Sequence, residues 1–245
     1  MYMKKLYILF FVIAIQFKLQ AQFTDSTTRF LKLASGGSIN KTKDGSNYLF
    51  NNHAQFNVRK KRTVLNSAAS WIYGMNPEKL TNNDFTLSSN VNLYRHFTDF
   101  YYWGLVNYTT SYSLNIKAQG QAGMGIAYNF LNKPNIWLNV SNGMIGETSR
   151  IIQGDTAVIN YQTIRNSLRV QFMFKMGDRF TFRTGNFFQP SLEYISDHII
   201  SSDTEFTYLL WKGLNLNTRL LYNKISRTEK ENLIFTYGFG YQKYF

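Results

Sequence analysis

Residues 233–245 read Leu-Ile-Phe-Thr-Tyr-Gly-Phe-Gly-Tyr-Gln-Lys-Tyr-Phe and alternate between two kinds of side chain. From Leu233 to Phe245, the odd-numbered positions are apolar or aromatic except for Lys243, whereas the even-numbered positions are mostly small or polar. A period of two places successive side chains on opposite faces of a β-strand. The stretch therefore predicts a strand with one apolar-aromatic face and one small or polar face.

The same alternation recurs along most of the chain. Residues 119–130, for example, place Met124 and Phe130 on one face, opposite Gln119 and Gln121. Further stretches with this period lie at residues 31–39, 48–59, 64–73, 85–94, 101–110, 136–143, 166–175, 180–188, 198–208 and 214–222. Together they predict about twelve strands of roughly ten residues, with no helical period outside residues 1–21.

The links between these strands alternate in length. Short basic or turn-like links are expected at residues 59–62, 95–99, 132–135, 176–179 and 211–213, and longer polar ones at 40–47, 75–83, 111–117, 145–160, 189–197 and 223–232. Outer-membrane barrels show this asymmetry, with short turns at the periplasmic end and longer loops outside. The predicted fold class is therefore all-β, a transmembrane antiparallel up-and-down β-barrel of about twelve strands.

The composition agrees with a barrel in lipid. The chain has 17 Tyr, 21 Phe and 4 Trp, yet its mean hydropathy is only −0.28. A lipid-facing and a lumen-facing side on each strand explain both numbers, because the average describes neither face. A soluble β-sandwich also has alternating strands, but it would not carry an apolar stripe on nearly every one. The absence of Cys excludes disulfide frameworks, thiol chemistry and a lipid anchor on cysteine.

The N-terminus predicts export. Lys4 and Lys5 precede the apolar residues 6–15, and residues 19–21 end on the small residue Ala21, which is the pattern of a secretory signal peptide. We expect residues 1–21 to be cleaved and residues 22–245 to form a single barrel domain. This predicts the outer membrane of a Gram-negative bacterium as the location. No stretch after residue 21 approaches the roughly 20 apolar residues of a transmembrane helix.

This location determines which partners we expect. The formal net charge of +13 would suit nucleic acid in the cytoplasm, but outside it we predict no nucleic-acid partner. The expected partners are outer-membrane lipids, the barrel-assembly machinery and small anionic solutes. Tyr241 and Phe245, on the aromatic final strand, resemble the C-terminal insertion signal that this machinery recognises. The sequence leaves the oligomeric state open.

Candidate catalytic groups are few. The three histidines are His53, His96 and His198. An outer-membrane lipid hydrolase would need its histidine on the outer face, whereas His53 is predicted to face the lumen, which makes this a weak alternative. No phosphate-binding loop, zinc-binding pair or calcium loop is present in the sequence. We therefore predict a protein that is not an enzyme and uses no metal or cofactor.

Basic residues recur on the predicted inward faces. They are Arg59, Arg95, Arg165, Arg169, Lys175, Arg183 and Arg219. One interpretation is a mostly packed polar lumen, in which Asp203 and Glu205 pair with these cations. The alternative is a narrow porin for small anionic solutes lined by Arg165, Arg169 and Arg183, because guanidinium groups bind carboxylates in a bidentate manner. About twelve strands lie between filled barrels of about eight and open barrels of sixteen, so strand number does not separate the two.

One sequence motif resembles a known family. Residues 188–192, Phe-Gln-Pro-Ser-Leu, followed by Ser196-Asp197, are similar to the central motif of the salt-stress-induced outer-membrane protein family, a domain of unknown function. Residues 123–128 resemble its glycine-alternating strand. The resemblance implies an outer-membrane barrel with an envelope or osmotic-stress role, no assigned activity, and a motif formed by Gln189, Pro190, Ser191 and Asp197. The family usually has Tyr and Arg after the Asp, where this chain has His198 and Ile199.

The proline in this motif has a structural consequence of its own. Pro190 has no N–H to donate to a sheet ladder. We therefore expect the segment after it to leave the sheet and fold over the outer rim.

Overall fold

The computed structural model describes residues 28–42, 45–95, 98–154 and 157–245. The predicted signal peptide and His96 lie outside the described residues. The twelve strands are β1 (Arg29–Thr42), β2 (Gly45–Lys60), β3 (Thr63–Met75), β4 (Leu80–Tyr94), β5 (Phe100–Ser111), β6 (Ile116–Lys133), β7 (Ile136–Gln153), β8 (Ala157–Met176), β9 (Phe180–Pro190), β10 (His198–Trp211), β11 (Leu214–Ile225) and β12 (Lys230–Tyr244). A short 3₁₀ helix, Ser226–Thr228, links β11 to β12. In these four described ranges, no helix has the length and apolar character to cross a membrane.

The strands form one closed antiparallel barrel. Each strand pairs with its neighbours in sequence, and β1 pairs with β12 to complete the ring. The predicted twelve-stranded up-and-down barrel is confirmed. At one end of the barrel, the links span two to five residues, and the first strand begins and the last strand ends there; we call this end the short-turn rim. The opposite end carries the taller hairpins, and we call it the long-hairpin rim.

The predicted long loop at residues 145–160 is wrong. β7 continues to Gln153 and β8 begins at Ala157, and the ladder between them runs without a break from the pair Ile145–Arg165 to Gln153–Ala157. The outward positions Thr148 and Arg150 are polar and the inward face mixes Ile145 and Ile151 with Glu147 and Ser149, so the hydrophobic pattern is lost while the hydrogen-bonded ladder continues. The predicted long links at residues 40–47 and 223–232 are also mostly strand, because β1 and β2 pair as far as Thr42–Gly45 and β11 and β12 as far as Ile225–Lys230. Among the described residues, 191–197 is the longest link at the long-hairpin rim.

The two faces of the last strand are as predicted. Leu233 and Phe235 point outward and are 67% and 57% exposed, whereas Ile234 and Thr236 point into the barrel and are 6% and 3% exposed. The inward Tyr244 packs against Phe30 of β1 with ring centroids 4.7 Å apart. Burial thus follows the same period of two that the sequence shows.

The seam between β1 and β12 is short and tightly packed. Its ladder has eight residue pairs, from Phe30–Tyr244 to Gly37–Tyr237, whereas β1 pairs with β2 along its whole length. Gly36 and Gly238 face each other across the seam. A Cβ added to Gly238 would lie 2.2 Å from the carbonyl oxygen of Ser35 and 2.3 Å from the Cα of Gly36, so this approach requires glycine.

Candidate functional site

Aliphatic side chains cluster inside the barrel near the long-hairpin rim. Five buried residues form this cluster, which we call the outer seal: Leu114, Ile116, Ile151, Ile199 and Ile225. They come from the β5–β6 link and from β6, β7, β10 and β11, so side chains from walls that are not adjacent in the sheet meet inside the barrel. Nearby, the amide nitrogen Nδ2 of Asn232 donates to Oγ of Ser113, 2.8 Å away, and links β12 to the β5–β6 hairpin.

A second apolar cluster lies between the walls on either side of the seam. Ile72 of β3 packs with Leu221 of β11 and Ile234 of β12, and Leu49 of β2 packs against them. Inward apolar residues therefore join β2 and β3 to β11 and β12 across β1. These apolar clusters lie among a larger number of buried polar side chains such as Asn57, Asn139 and Asn215.

A buried ion network centred on Arg165 lies beside the outer seal. Arg165 is 0% exposed. Its Nε donates to Oε2 of Glu147 at 2.8 Å, and its Nη2 donates to Oδ1 of Asp197 at 3.1 Å. Its Nη1 donates to the backbone oxygens of Gln189 and Asp197 at 3.3 and 3.2 Å. All three guanidinium nitrogens are therefore engaged, and no side of Arg165 is accessible to a solute.

Both carboxylates of this network have further donors. Glu147 accepts from the hydroxyl of Tyr161 at 2.6 Å and from Nε2 of Gln121 at 2.8 Å. Asp197 accepts from Nε of Arg227 at 2.9 Å, and the Arg227 guanidinium lies 4.0 Å from the centroid of the Tyr161 ring. Two arginines and two carboxylates balance in charge, which is the condition under which buried ions are tolerated.

The motif that resembles the family supplies part of this network. β9 ends at Pro190, after which residues 191–197 leave the sheet. The Ser191 N–H donates to the Asp197 carbonyl at 2.8 Å, and the hydroxyls of Ser191 and Thr163 share a hydrogen bond of 2.7 Å. The two ends of the segment are buried, where Ser191 bridges Arg165 of β8 and Asp197 presents its carboxylate to Arg165, whereas Leu192, Tyr194 and Ile195 between them are exposed. Of the two residues that depart from the family pattern, His198 begins β10 and Ile199 belongs to the outer seal.

The other predicted basic residues occupy different surroundings. Arg59 is exposed near the short-turn rim, and Lys175 is half-buried near the same rim. Arg169 donates from Nε to Oγ of Ser141 at 3.1 Å and lies over the ring of Phe187. Arg165, Arg169 and Lys175 share the inward face of β8, with Arg165 in its buried network and Lys175 near the short-turn rim, whereas Arg59 lies on β2.

Arg183 and Arg219 lie together at the central cavity, a lumen space of about 310 Å³. Its polar lining includes Asn51, His53, Arg183, Asp203, Asn217 and Arg219. Nε and Nη2 of Arg219 donate to the two oxygens of Asp203 at 2.9 and 2.8 Å. Glu205 pairs with Lys32 of β1. The two carboxylates predicted as lumen acids thus lie at this cavity, each held by a cation.

Sequence reasoning missed three residues that these sites depend on. Glu147 lay in a segment that was predicted as loop, so its inward direction was not visible. Arg227 lies in the β11–β12 link, and Lys32 meets Glu205 only because the barrel closes. In the described part of the chain, no group of three or more His, Asp or Glu side chains is arranged to hold a metal ion.

Comparisons with known proteins support the barrel fold. The model of the family described as "Protein of unknown function, DUF481" matches residues 46–242. The translocator domain of the autotransporter NalP from Neisseria meningitidis is 11% identical, with a TM-score of 0.52 over 90% of each chain. The NanC porin is 9% identical, with a TM-score of 0.52 over 88% of this chain and 99% of that chain. No curated protein matches the chain. At these identities, the two structures show a shared fold alone.

Proposed function

Since the chain belongs to the DUF481 family of proteins of unknown function, we propose from its geometry that it is an outer-membrane barrel that is closed to solutes and has no enzymatic activity. The outer seal is the observation that carries this proposal. An envelope-stress role, which the family resemblance implies, is compatible with a barrel that spans the membrane without leaking.

The outer surface supports placement in a membrane. Large apolar side chains stand outward on strands all round the barrel, as shown by Met124 at 74%, Phe130 at 60% and Leu233 at 67% exposure. In water, such an apolar surface would promote association with other molecules, whereas in a membrane the lipid covers it. Closure of the ring by β1 and β12 also leaves few unpaired backbone groups in the hydrocarbon.

The end of β12 at the short-turn rim also suits recognition by the assembly machinery. Tyr241 and Phe245 are both exposed on the outer face, at 44% and 45%. The Phe245 backbone exchanges two hydrogen bonds with Arg29, at 2.8 and 3.0 Å. We propose that this outward pair of rings is the part of the chain that the assembly machinery contacts.

Closure of the lumen follows from its contents. A constriction lined only by aliphatic groups loses its water and blocks ions even where a narrow gap exists. We take the outer seal to be such a constriction, with the neutral network around Arg165 beside it. Both support a barrel that offers small anionic solutes no continuous path.

Planar-bilayer recording tests this proposal. Residues 22–245 refolded and inserted into the bilayer are expected to show no discrete conductance steps. Replacing two residues of the seal, Ile151→Ser together with Ile199→Ser, is expected to admit water and to produce steps. The matched control, Ile126→Ser with Ile164→Ser, changes two outward residues that are 50% and 52% exposed. This control is expected to show no conductance steps.

Opposite results would establish the alternative. Anion-selective steps from the unmodified protein, reduced by Arg169→Ala, would show a narrow porin and would refute the closed barrel. Release of fatty acid from phospholipid by the purified protein would refute the absence of enzymatic activity.

A further inference from the structure

The outer wall of the barrel carries an open groove across β5 to β8. It has a volume of about 720 Å³, and we call it the outer groove; its apolar lining is Val106, Tyr108, Gly120, Ala122, Gly146 and Ile164. A Cβ added to Gly120 or Gly146 would lie 3.6 or 3.7 Å from its nearest neighbour, so neither glycine is required by a backbone contact. The small residues therefore shape the floor of the groove and are not needed to close the sheet.

The outer groove lies where the apolar outer surface ends. On β6 the outward residues from Phe130 to Ala122 are apolar, and they cover about 26 Å of strand, or about 20 Å of height at a tilt of about 40°. The next outward residues toward the long-hairpin rim are polar, as shown by the exposed Thr148 and Gln162, which also line the groove. Tyr108 is 44% exposed at this level, as aromatic residues at a membrane interface are. The groove thus lies at the level where acyl chains meet head groups.

Two cations lie directly above the groove. Arg150 is exposed on the outward face of β7, two residues beyond Thr148, which places it about 7 Å further along the strand. Lys117 lies beside it and is also exposed, as the extra residue of the bulge that precedes the pair Ala118–Arg150. Among the described residues, no carboxylate oxygen lies within 4.0 Å of either cation, so neither is needed for the fold itself. Both are suited to bind phosphate at the membrane surface.

The link at residues 191–197 bounds the groove on the side of β8. The Leu192 N–H donates to the Ile164 carbonyl at 2.8 Å, and Glu193 lines the groove. Leu192, Tyr194 and Ile195 are 53%, 65% and 82% exposed. An exposed apolar surface of this kind marks a site of contact with a partner or with lipid. The link therefore extends the apolar surface that an occupant of the groove would cover.

The shape and charge of the site specify its occupant. Four strands spaced by about 4.8 Å make the groove about 14 Å wide, which is wider than one acyl chain. Arg150 and Lys117 carry two positive charges on one side, whereas Gln162 and Glu193 offer acceptor oxygens to hydroxyl or amide donors on the other. A phosphorylated glycolipid with several acyl chains matches all three features, because it combines phosphate, hydroxyl and amide groups with a broad apolar part.

We propose that the outer groove binds one phosphorylated glycolipid of the outer leaflet, with its acyl chains over Gly120, Ala122 and Gly146 and its phosphate on Lys117 and Arg150. This inference rests on the membrane placement in the proposed function and not on closure of the lumen. It assigns a defined lipid and a defined position to a wall that would otherwise contact lipid without preference.

Native mass spectrometry with lipid A as the probe tests the proposal. Residues 22–245 are refolded in detergent micelles, lipid A is added in steps, and the number of lipid molecules retained by each barrel is counted. Saturable retention of one lipid A is expected. Dephosphorylated lipid A and phosphatidylglycerol are each expected to bind about tenfold more weakly, because the first lacks the phosphate and the second lacks the sugar and the additional chains.

Variants separate the two parts of the site. Lys117→Gln with Arg150→Gln is expected to weaken lipid A binding about tenfold and to bind lipid A and its dephosphorylated form equally, because the phosphate loses its partners. Gly146→Leu fills the floor of the groove and is expected to weaken both forms by the same factor, about tenfold. If Gly146→Leu does not fold, Gly120→Leu takes its place.

Each variant has a matched control. Lys224→Gln with Lys230→Gln removes two exposed cations at the same rim, from β11 and β12, and is expected to leave lipid A binding unchanged. Gly104→Leu adds the same side chain to a β5 glycine outside the groove, where the nearest atoms to the added Cβ are 3.9 Å away. It is also expected to bind lipid A normally.

Three outcomes would overturn the proposal. No retention of lipid A by a barrel that inserts into bilayers would refute the lipid site and leave the closed barrel intact, whereas a protein that does not insert would refute the membrane placement itself. Equal retention of phosphatidylglycerol would show that ordinary phospholipid occupies the groove. Unchanged affinity in both the double glutamine variant and Gly146→Leu would place the bound lipid elsewhere on the wall.

Discussion

Arg165→Met is expected to lower the free energy of unfolding by about 3–5 kcal/mol, because it leaves two buried carboxylates without their shared cation. Glu147 would lose the contact at 2.8 Å, and Asp197 would lose the one at 3.1 Å. Asp197 retains Arg227, so most of the cost falls on Glu147. Urea unfolding in detergent micelles, followed by tryptophan fluorescence, measures the change.

Two further variants separate the charge from the loss of packing. The double variant Arg165→Met with Glu147→Gln also removes the negative charge of the unpaired Glu147 carboxylate. It is expected to recover about half of the free energy of unfolding that Arg165→Met alone loses. Arg150→Met removes an exposed arginine from the outer face of β7 and is expected to stay within about 0.5 kcal/mol of the unmodified protein. A cost below about 1 kcal/mol for Arg165→Met would contradict the view that the network is a structural centre of the lumen.

Gly238→Val is expected to prevent the barrel from closing. The added Cβ would meet the backbone of Ser35 at 2.2 Å and that of Gly36 at 2.3 Å. Both atoms belong to the paired strand β1, so they cannot move aside as a flexible side chain can, and the clash is relieved only by separating β1 from β12. The expected result is loss of the compact, protease-resistant form on refolding, seen as the absence of the faster-migrating band in unheated electrophoresis samples.

A second glycine provides the control for the seam. Gly104 of β5 also lies within a strand, but the nearest atoms to its added Cβ are 3.9 Å away, so Gly104→Val is expected to refold like the unmodified protein. If Gly238→Val instead yields the compact form with an unchanged unfolding midpoint, the seam does not depend on the close approach of its glycines.

The sequence predicted the wall of the barrel better than its contents. The period of two in residues 233–245 identifies the strand and its faces, because one face is apolar or aromatic except for Lys243 and the other is mostly small or polar. In residues 145–160, inward apolar residues such as Ile145 and Ile151 are separated by Glu147 and Ser149, and the outward Thr148 and Arg150 are polar, so no regular hydrophobic alternation marks the ladder. Strand extent at the long-hairpin rim was therefore not predictable from hydrophobicity.

The partners inside the lumen depend on three-dimensional register. Arg165 was recognised as an inward cation, but its pairing with Asp197 requires the link after β9 to return that carboxylate to the β8 wall. Lys32 and Glu205 are far apart in sequence and meet only across the closed ring. Ile199 and Ile225 are ordinary apolar strand residues until Leu114 and Ile151 meet them from another wall. Alternation states which way a side chain points, but not which side chain it faces.

The short β1–β12 seam has a consequence for the time course of assembly. Every other ladder joins strands that are consecutive in the chain, whereas this one joins the first strand to the last through eight residue pairs. Closing so long a loop carries the largest entropy cost of any pairing in the barrel, and contacts between distant residues slow folding. Hairpins between consecutive strands can therefore form early, but the barrel cannot close until the final strand, β12, is in place. Seam closure is the step that sets how long an open sheet edge is exposed to other chains.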